Sequence, residues 1–180
     1  MTWFVMRDLT RPNALHPAYM RLADAGFEIF TPMTWKIRRR GSKTERVKAP
    51  VIHDLLFVKS TRQQLDPVVE EISTLQYRFV RGGRQGESMT VPEAEMERFI
   101  TAVASDSNPK FYLPGEITAA MVGKRVRILS GPLSGFEGNL IKIRGLRSKR
   151  LIVELPGMLS STVEVTGDMV ELVADRKDKK

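Results

Sequence analysis

Two rhythms of apolar residues run along this chain, and one gives way to the other near residue 105. Ahead of that point, short β-favouring runs alternate with stretches whose apolar residues recur at helical spacing. Trp3, Phe4 and Val5 open a strand over 3–7. Leu15, Tyr19, Leu22 and Ala23 share one face of a helix near 15–25, with Pro17 in its first turn and Gly26 just past its end. Residues 27–34 read as a strand, and Leu55-Leu56-Phe57-Val58, short and flanked by polar residues, as a buried one. Asp66-Pro67 marks the start of a second helix with Val68, Ile72 and Leu75 on one face, followed by a strand over 77–80. Thr90-Val91-Pro92-Glu93 has the spacing of a capping box, and Met96, Phe99, Ile100 and Val103 follow at i, i+3, i+4 and i+7 as a third, amphipathic helix. Helices covering an antiparallel-rich sheet would make this part an α/β sandwich.

Beyond residue 105 the period becomes two. Val126 and Ile128 alternate with Arg125 and Arg127, and Ile141 and Ile143 with Lys142 and Arg144; Leu151, Val153, Leu155, Val163 and Val165 continue the pattern. Turn signals at Gly131-Pro132, Gly145 and Pro156-Gly157 separate the runs. About five short strands in so short a stretch predict a small β-barrel rather than a helical hairpin. The fold class is therefore α+β: a sandwich over 1–104, a polar linker over 105–117, a five-stranded barrel over 118–174 and a charged tail over 175–180.

Composition narrows the chemistry. The chain has 180 residues, 42% hydrophobic and 28% charged, a globular balance, and its apolar runs are too short to span a bilayer. The start, Met1-Thr2-Trp3-Phe4-Val5-Met6-Arg7, lacks the basic and apolar regions of a secretory signal, so a cytoplasmic, membrane-free protein is expected. The absence of cysteine removes disulfides, thiolate-bound zinc and thiol nucleophiles, and His16 and His53 alone make no metal site. His53-Asp54 is no catalytic pair, because neighbours on an extended strand point to opposite faces. No cofactor, no metal and no enzymatic activity are expected, and the chain reads as a monomer. The net charge of +8 favours an anionic partner such as nucleic acid. Each half carries +4, sixteen basic against twelve acidic residues before 105 and thirteen against nine after, so neither is merely a charged tail.

One motif is specific. Gly123-Lys124-Arg125-Val126-Arg127-Ile128-Leu129-Ser130-Gly131-Pro132-Leu133-Ser134-Gly135-Phe136-Glu137-Gly138-Asn139-Leu140-Ile141 closely resembles the KOW motif: a strand, a tight turn at Gly131, then Gly135 and Gly138 where backbone bends or passes close to its neighbour. KOW modules fold as SH3-like barrels and occur in proteins of both transcription and translation. The first part resembles the N-terminal domain of the NusG family, which precedes a KOW barrel through a linker. Trp3-Phe4-Val5 is similar to that family's Trp-Tyr-Val opening strand, and Phe30-Thr31-Pro32 to the segment before its variable hairpin. Residues 50–58 occupy the place of its Pro-Leu-Phe-Pro-Gly-Tyr-Val-Phe-Val. Leu55 stands where the tyrosine would be, a departure that points toward specialised paralogues of the RfaH or UpxY type.

The resemblance implies a transcription elongation or antitermination factor. Its first domain would bind RNA polymerase at the clamp helices of the β′ subunit and suppress pausing or termination, and its KOW domain would recruit a further partner, such as Rho, a ribosomal protein or nascent RNA. The alternative is an RNA-binding KOW protein of ribosome assembly or translation. By position in the family, Phe4, Ile52, Leu55, Phe57 and Phe79 are the implied polymerase-binding residues, although apolar strand residues are more often core. Lys36, Arg38, Arg39, Arg40, Lys43, Arg46 and Lys48 face a single acid, Glu45, giving +6 across fourteen residues. As a hairpin arm this strip would touch DNA or nascent RNA; otherwise it is a solvated loop. Arg78, Arg81 and Arg84 recur beside flexible glycines as a second candidate nucleic-acid rim, and residues 144–150 as a third, although a period of three does not keep one face of a strand.

Overall fold

Trp3 through Met6 are all buried, which an alternating strand does not allow unless both faces of its sheet are covered. The structure, a computed structural model, describes residues 1–12, 14–142, 148–165 and 170–173, with Arg40 given by its backbone alone. It is α+β and divides into two units, Met1–Met96 and Glu97–Lys180.

In the first unit β1 (Thr2–Asp8) is central. With β2 (Glu28–Phe30), β5 (Leu56–Ser60) and β6 (Leu75–Tyr77) it forms the order β2-β5-β1-β6, and β7 (Thr90–Val91) also pairs with β1. Every pairing is antiparallel. The register sets Phe4 opposite Val58 and Met6 opposite Leu56. These four join Leu22 of α1 (Ala18–Asp24) and Leu65 of α2 (Arg62–Glu71) in one core, while Trp3, Val5 and Phe57 alternate to the other face. Lys59 ties the edge together through Glu28 at 3.2 Å and Glu93 at 2.6 Å, and those carboxylates, Glu93 foremost, hold the Lys59 pKa above its ordinary value.

Two helix starts differ from the sequence reading. The first helix begins at Ala18, so Leu15 lies outside it and is 91% exposed instead of packed. The second begins at Arg62, one turn ahead of Asp66-Pro67: Thr61 is the N-cap and accepts from the Gln64 N–H, the Thr-x-x-Gln form of a capping box. Pro67 sits inside the helix, and Asp66 is engaged by the Tyr77 hydroxyl at 2.7 Å. Burial and that hydrogen bond push the Tyr77 phenol pKa upward. The third helix, α3 (Glu93–Ala104), stands where its periodicity placed it, but Thr90 belongs to β7.

β3 (Met33–Arg40) and β4 (Lys43–Pro50) form a separate two-stranded ribbon, closed by Gly41-Ser42, with Gly41 at φ +61° where such turns favour glycine.

The second unit is a six-stranded antiparallel sheet, one strand more than expected. β8 (Lys110–Tyr112), β9 (Val122–Ile128), β10 (Glu137–Ile141), β11 (Arg150–Leu155), β12 (Leu159–Glu164) and β13 (Val170–Leu172) run in the order β13-β9-β10-β11-β12-β8. The extra strand comes from the stretch read as a linker: Lys110, Phe111 and Tyr112 pair with Thr162, Ser161 and Ser160. The alternating residues Val126, Ile128, Leu151 and Val163 converge on one core together with Ala102 of α3. The expectations for Ile143, Arg144, Gly145 and the tail at 175–180 fall outside the described residues.

Candidate nucleic-acid and protein interfaces

The ribbon has two chemically different faces, because directly opposed residues of an antiparallel pair project to the same side. Its register opposes Trp35 to Lys48, Ile37 to Arg46 and Arg39 to Thr44 on one face, and Lys36 to Val47 and Arg38 to Glu45 on the other. The lone acid therefore lies opposite Arg38, and the Trp35 face carries none. Arg38, Arg39 and Lys43 are exposed, as a nucleic-acid contact requires, while the side chain of Arg40 lies outside the described residues. A reading guided by charge passes over Trp35 and Ile37, which are 48% and 75% exposed. Their alternation with lysine and arginine was the available signal. The Arg46 guanidinium and the Lys48 ammonium lie 5.0 and 5.4 Å from the Trp35 ring centre, within cation–π range.

The second basic group separates. Arg78 is a structural clasp and not a free rim residue: its guanidinium lies 3.1 Å from Asp54 Oδ2 and 3.3 Å from the Asp54 carbonyl, and Arg7 reaches the same carboxylate at 3.3 Å. Two contacts on its carboxylate and one on its carbonyl bind the turn before β5 to β1 and to the residue that follows β6, so Asp54 has a structural role. Arg81 and Arg84 are exposed in the loop beyond, which the Val80 N–H closes onto the Glu87 carbonyl at 2.9 Å. Of the third basic candidate, 144–147 lies outside the described residues; Arg150 is buried and paired with Asp106 at 2.6 Å, both side chains 5% exposed.

The expected apolar surface is smaller than its five residues. Phe4, Leu55 and Phe57 are buried, Phe4 in the helix-covered core and Phe57 with its ring 6.1 Å from that of Phe30. A central strand covered on both faces leaves them no outward position. Leu55, at 3% exposure, is part of the packing and offers no outer surface. Ile52 remains half-buried and Phe79 is 55% exposed. The Asp54–Arg78 clasp joins the turn that carries Ile52 to the segment after β6 that carries Phe79, and Val80 beside it is also exposed.

In the second unit Gly131 and Gly135 take positive φ, +81° and +82°, between β9 and β10. Gly138 serves a different need: a Cβ there would stand 2.6 Å from the Ile152 carbonyl oxygen, so β10 and β11 approach closely only without a side chain. Among the described residues no group of three His, Cys, Asp or Glu is placed to hold a metal ion, and no helix is long and apolar enough to cross a membrane.

Comparison with known proteins adds one decisive match. A family model described as the transcription termination factor nusG matches residues 1–100. No curated protein matches the chain. Among solved structures, one described as "Domain interaction in Thermotoga maritima NusG" is similar at 16% identity and a TM-score of 0.44, covering 96% of this chain and 97% of that one.

Proposed function

Because this chain belongs to the NusG family and is a transcription factor of the NusG type, we propose that it acts without catalysis, by binding RNA polymerase during elongation and suppressing pausing or termination. The observation that carries the reading is the family match over residues 1–100, which takes in the whole first unit with its basic ribbon and its Ile52–Phe79 patch. The patch, apolar and open to solvent at Phe79, contacts the β′ clamp helices, while Arg38, Arg39 and Lys43 of the ribbon, together with Arg81 and Arg84, contact nucleic acid. The second unit, through its KOW-like strand pair, engages a further partner such as Rho, a ribosomal protein or nascent RNA. The protein works as a cytoplasmic monomer.

The mechanism follows from linkage. A protein that binds the pause-resistant state of the polymerase better than the paused state shifts their equilibrium by the difference in binding free energy alone. A difference of about 1.4 kcal/mol changes their ratio roughly tenfold. Residence of a defined transcription complex at a pause is the direct test. Saturating wild-type protein is expected to shorten it several-fold, and Phe79→Glu, which places a carboxylate in the patch, to leave it unchanged. Equal pausing with and without the wild-type protein would contradict the proposal.

A further inference from the structure

We infer that the Trp35 face of the ribbon is a stacking site for unpaired bases, so that the nucleic acid it takes is single-stranded. The inference rests on the proposed nucleic-acid role of the ribbon and specifies its ligand.

Phosphate contact alone needs cations and no apolar surface. This face combines both: an exposed indole and an exposed isoleucine among Arg39, Arg46 and Lys48, with no acidic residue on it. Among the described residues these three cations make no ion pair, so their charge is free to meet phosphate. The opposite face, with Glu45 beside Arg38, lacks both the ring and the undivided charge.

The arrangement discriminates between strand and duplex. In a duplex the base faces are already occupied by their neighbours, and only edges and backbone are offered to a protein. An unpaired base offers its face to an aromatic ring, and arginine adds a cation–π contribution. Trp35 and Ile37 are two residues apart on one strand, so their side chains project roughly 7 Å apart. That is about twice the ~3.4 Å spacing of bases in a stacked strand. Bases resting on both residues must therefore be drawn out of their stack, which an unpaired strand allows and a duplex resists. The Arg46 and Lys48 head groups lie over the ring, 5.0 and 5.4 Å from its centre, and as mobile ends of long side chains they can turn from it to the phosphates that flank such a base.

The molecule contains its own reporter. Of its two tryptophans, Trp3 is 0% exposed and shielded from an added strand, while Trp35 lies on the proposed site. Titration of the full chain with an oligothymidylate of about twelve nucleotides, within the usual range of single-strand sites, is expected to quench the exposed-tryptophan emission. Trp35→Ala should remove the quenching and weaken binding, read by anisotropy of a labelled strand, at least about fivefold. Its remaining Trp3 emission reports that the first unit is still folded. Arg46→Gln with Lys48→Gln should lower the slope of log affinity against log salt by about 1.4. The matching duplex is expected to bind more weakly and to leave the emission unchanged. Binding without quenching, or equal binding of duplex and single strand, would overturn the stacking site while leaving the ribbon a phosphate contact. Binding of neither overturns both the stacking site and the nucleic-acid role of the ribbon.

Discussion

Asp106→Ala is expected to destabilise the second unit by about 3 kcal/mol, the cost of taking from a buried charge the nearer of its two carboxylates and leaving it Glu164 at 3.7 Å. Arg150 holds the reason. Its guanidinium donates to Asp106 Oδ2 at 2.6 Å, to the Thr162 carbonyl at 2.6 Å and to the Asn108 carbonyl at 3.2 Å, with only 5% of its side chain exposed. Asp106 also accepts the Glu164 N–H at 2.9 Å and the Asn108 N–H at 2.8 Å, so one carboxylate fastens the segment ahead of β8 onto β11 and β12. Losing it leaves the arginine only the longer, more exposed Glu164 pair and loosens β8. Both tryptophans lie in the first unit, so urea unfolding of the second is followed by far-ultraviolet circular dichroism. Asp106→Leu with Arg150→Met, which removes both charges, should recover most of the loss.

The same carboxylate gives a pH signature. Burial raises the Asp106 pKa, but the Asn108 and Glu164 N–H groups and the Arg150 charge outweigh it and hold the value below the ordinary carboxylate range. A depressed folded-state pKa means that the stabilisation is complete above the unfolded value, about 3.9, and is lost as pH falls through the folded one. The stability gap between wild type and Asp106→Asn should therefore be constant near neutrality and shrink below about pH 4.

Phe57→Ala is the second large effect, expected to cost the first unit about 3–5 kcal/mol. Phe57 is 0% exposed, opposes Val5 across the central pair and packs its ring near Phe30, so truncation leaves a cavity between rigid strands. Thermal unfolding should register the loss, with the emission of Trp3, two residues from Val5 on β1, shifting toward that of exposed indole. Phe79→Glu, at a 55% exposed position, should stay within about 0.5 kcal/mol of wild type. The pair separates a residue that holds the fold from one that is open at the surface, two positions that family resemblance alone grouped together.

Alternation and helical spacing made the two-part α+β order legible, because burial imposes those periods whatever the partner strand is. Runs buried on both faces hid the next level: Trp3-Phe4-Val5-Met6 carries no period, so nothing local said that Phe4 points into the core. The start of α2 was misplaced because Asp66-Pro67 looks like a cap by local chemistry, whereas the Thr61–Gln64 pair one turn earlier is the one the backbone uses. The stretch at 105–117 read as a linker because Asp106 and Asn108 are polar; what orders them is Arg150, more than forty residues away and invisible to any local window. Arg78 was grouped with Arg81 and Arg84 by spacing, and only the fold reveals its partner Asp54. On the ribbon the basic strip was plain, and the face that carries its chemistry became plain with the register.

The measurement that tests the central claim most directly is retention of bacterial core RNA polymerase on the immobilised full-length chain, wild type beside an Ile52→Glu, Phe79→Glu variant whose unfolding midpoint matches wild type. Retention by the wild type and its loss in the folded variant is the predicted result. Failure of the wild type to retain polymerase, or undiminished retention by the variant, would contradict polymerase binding through this patch.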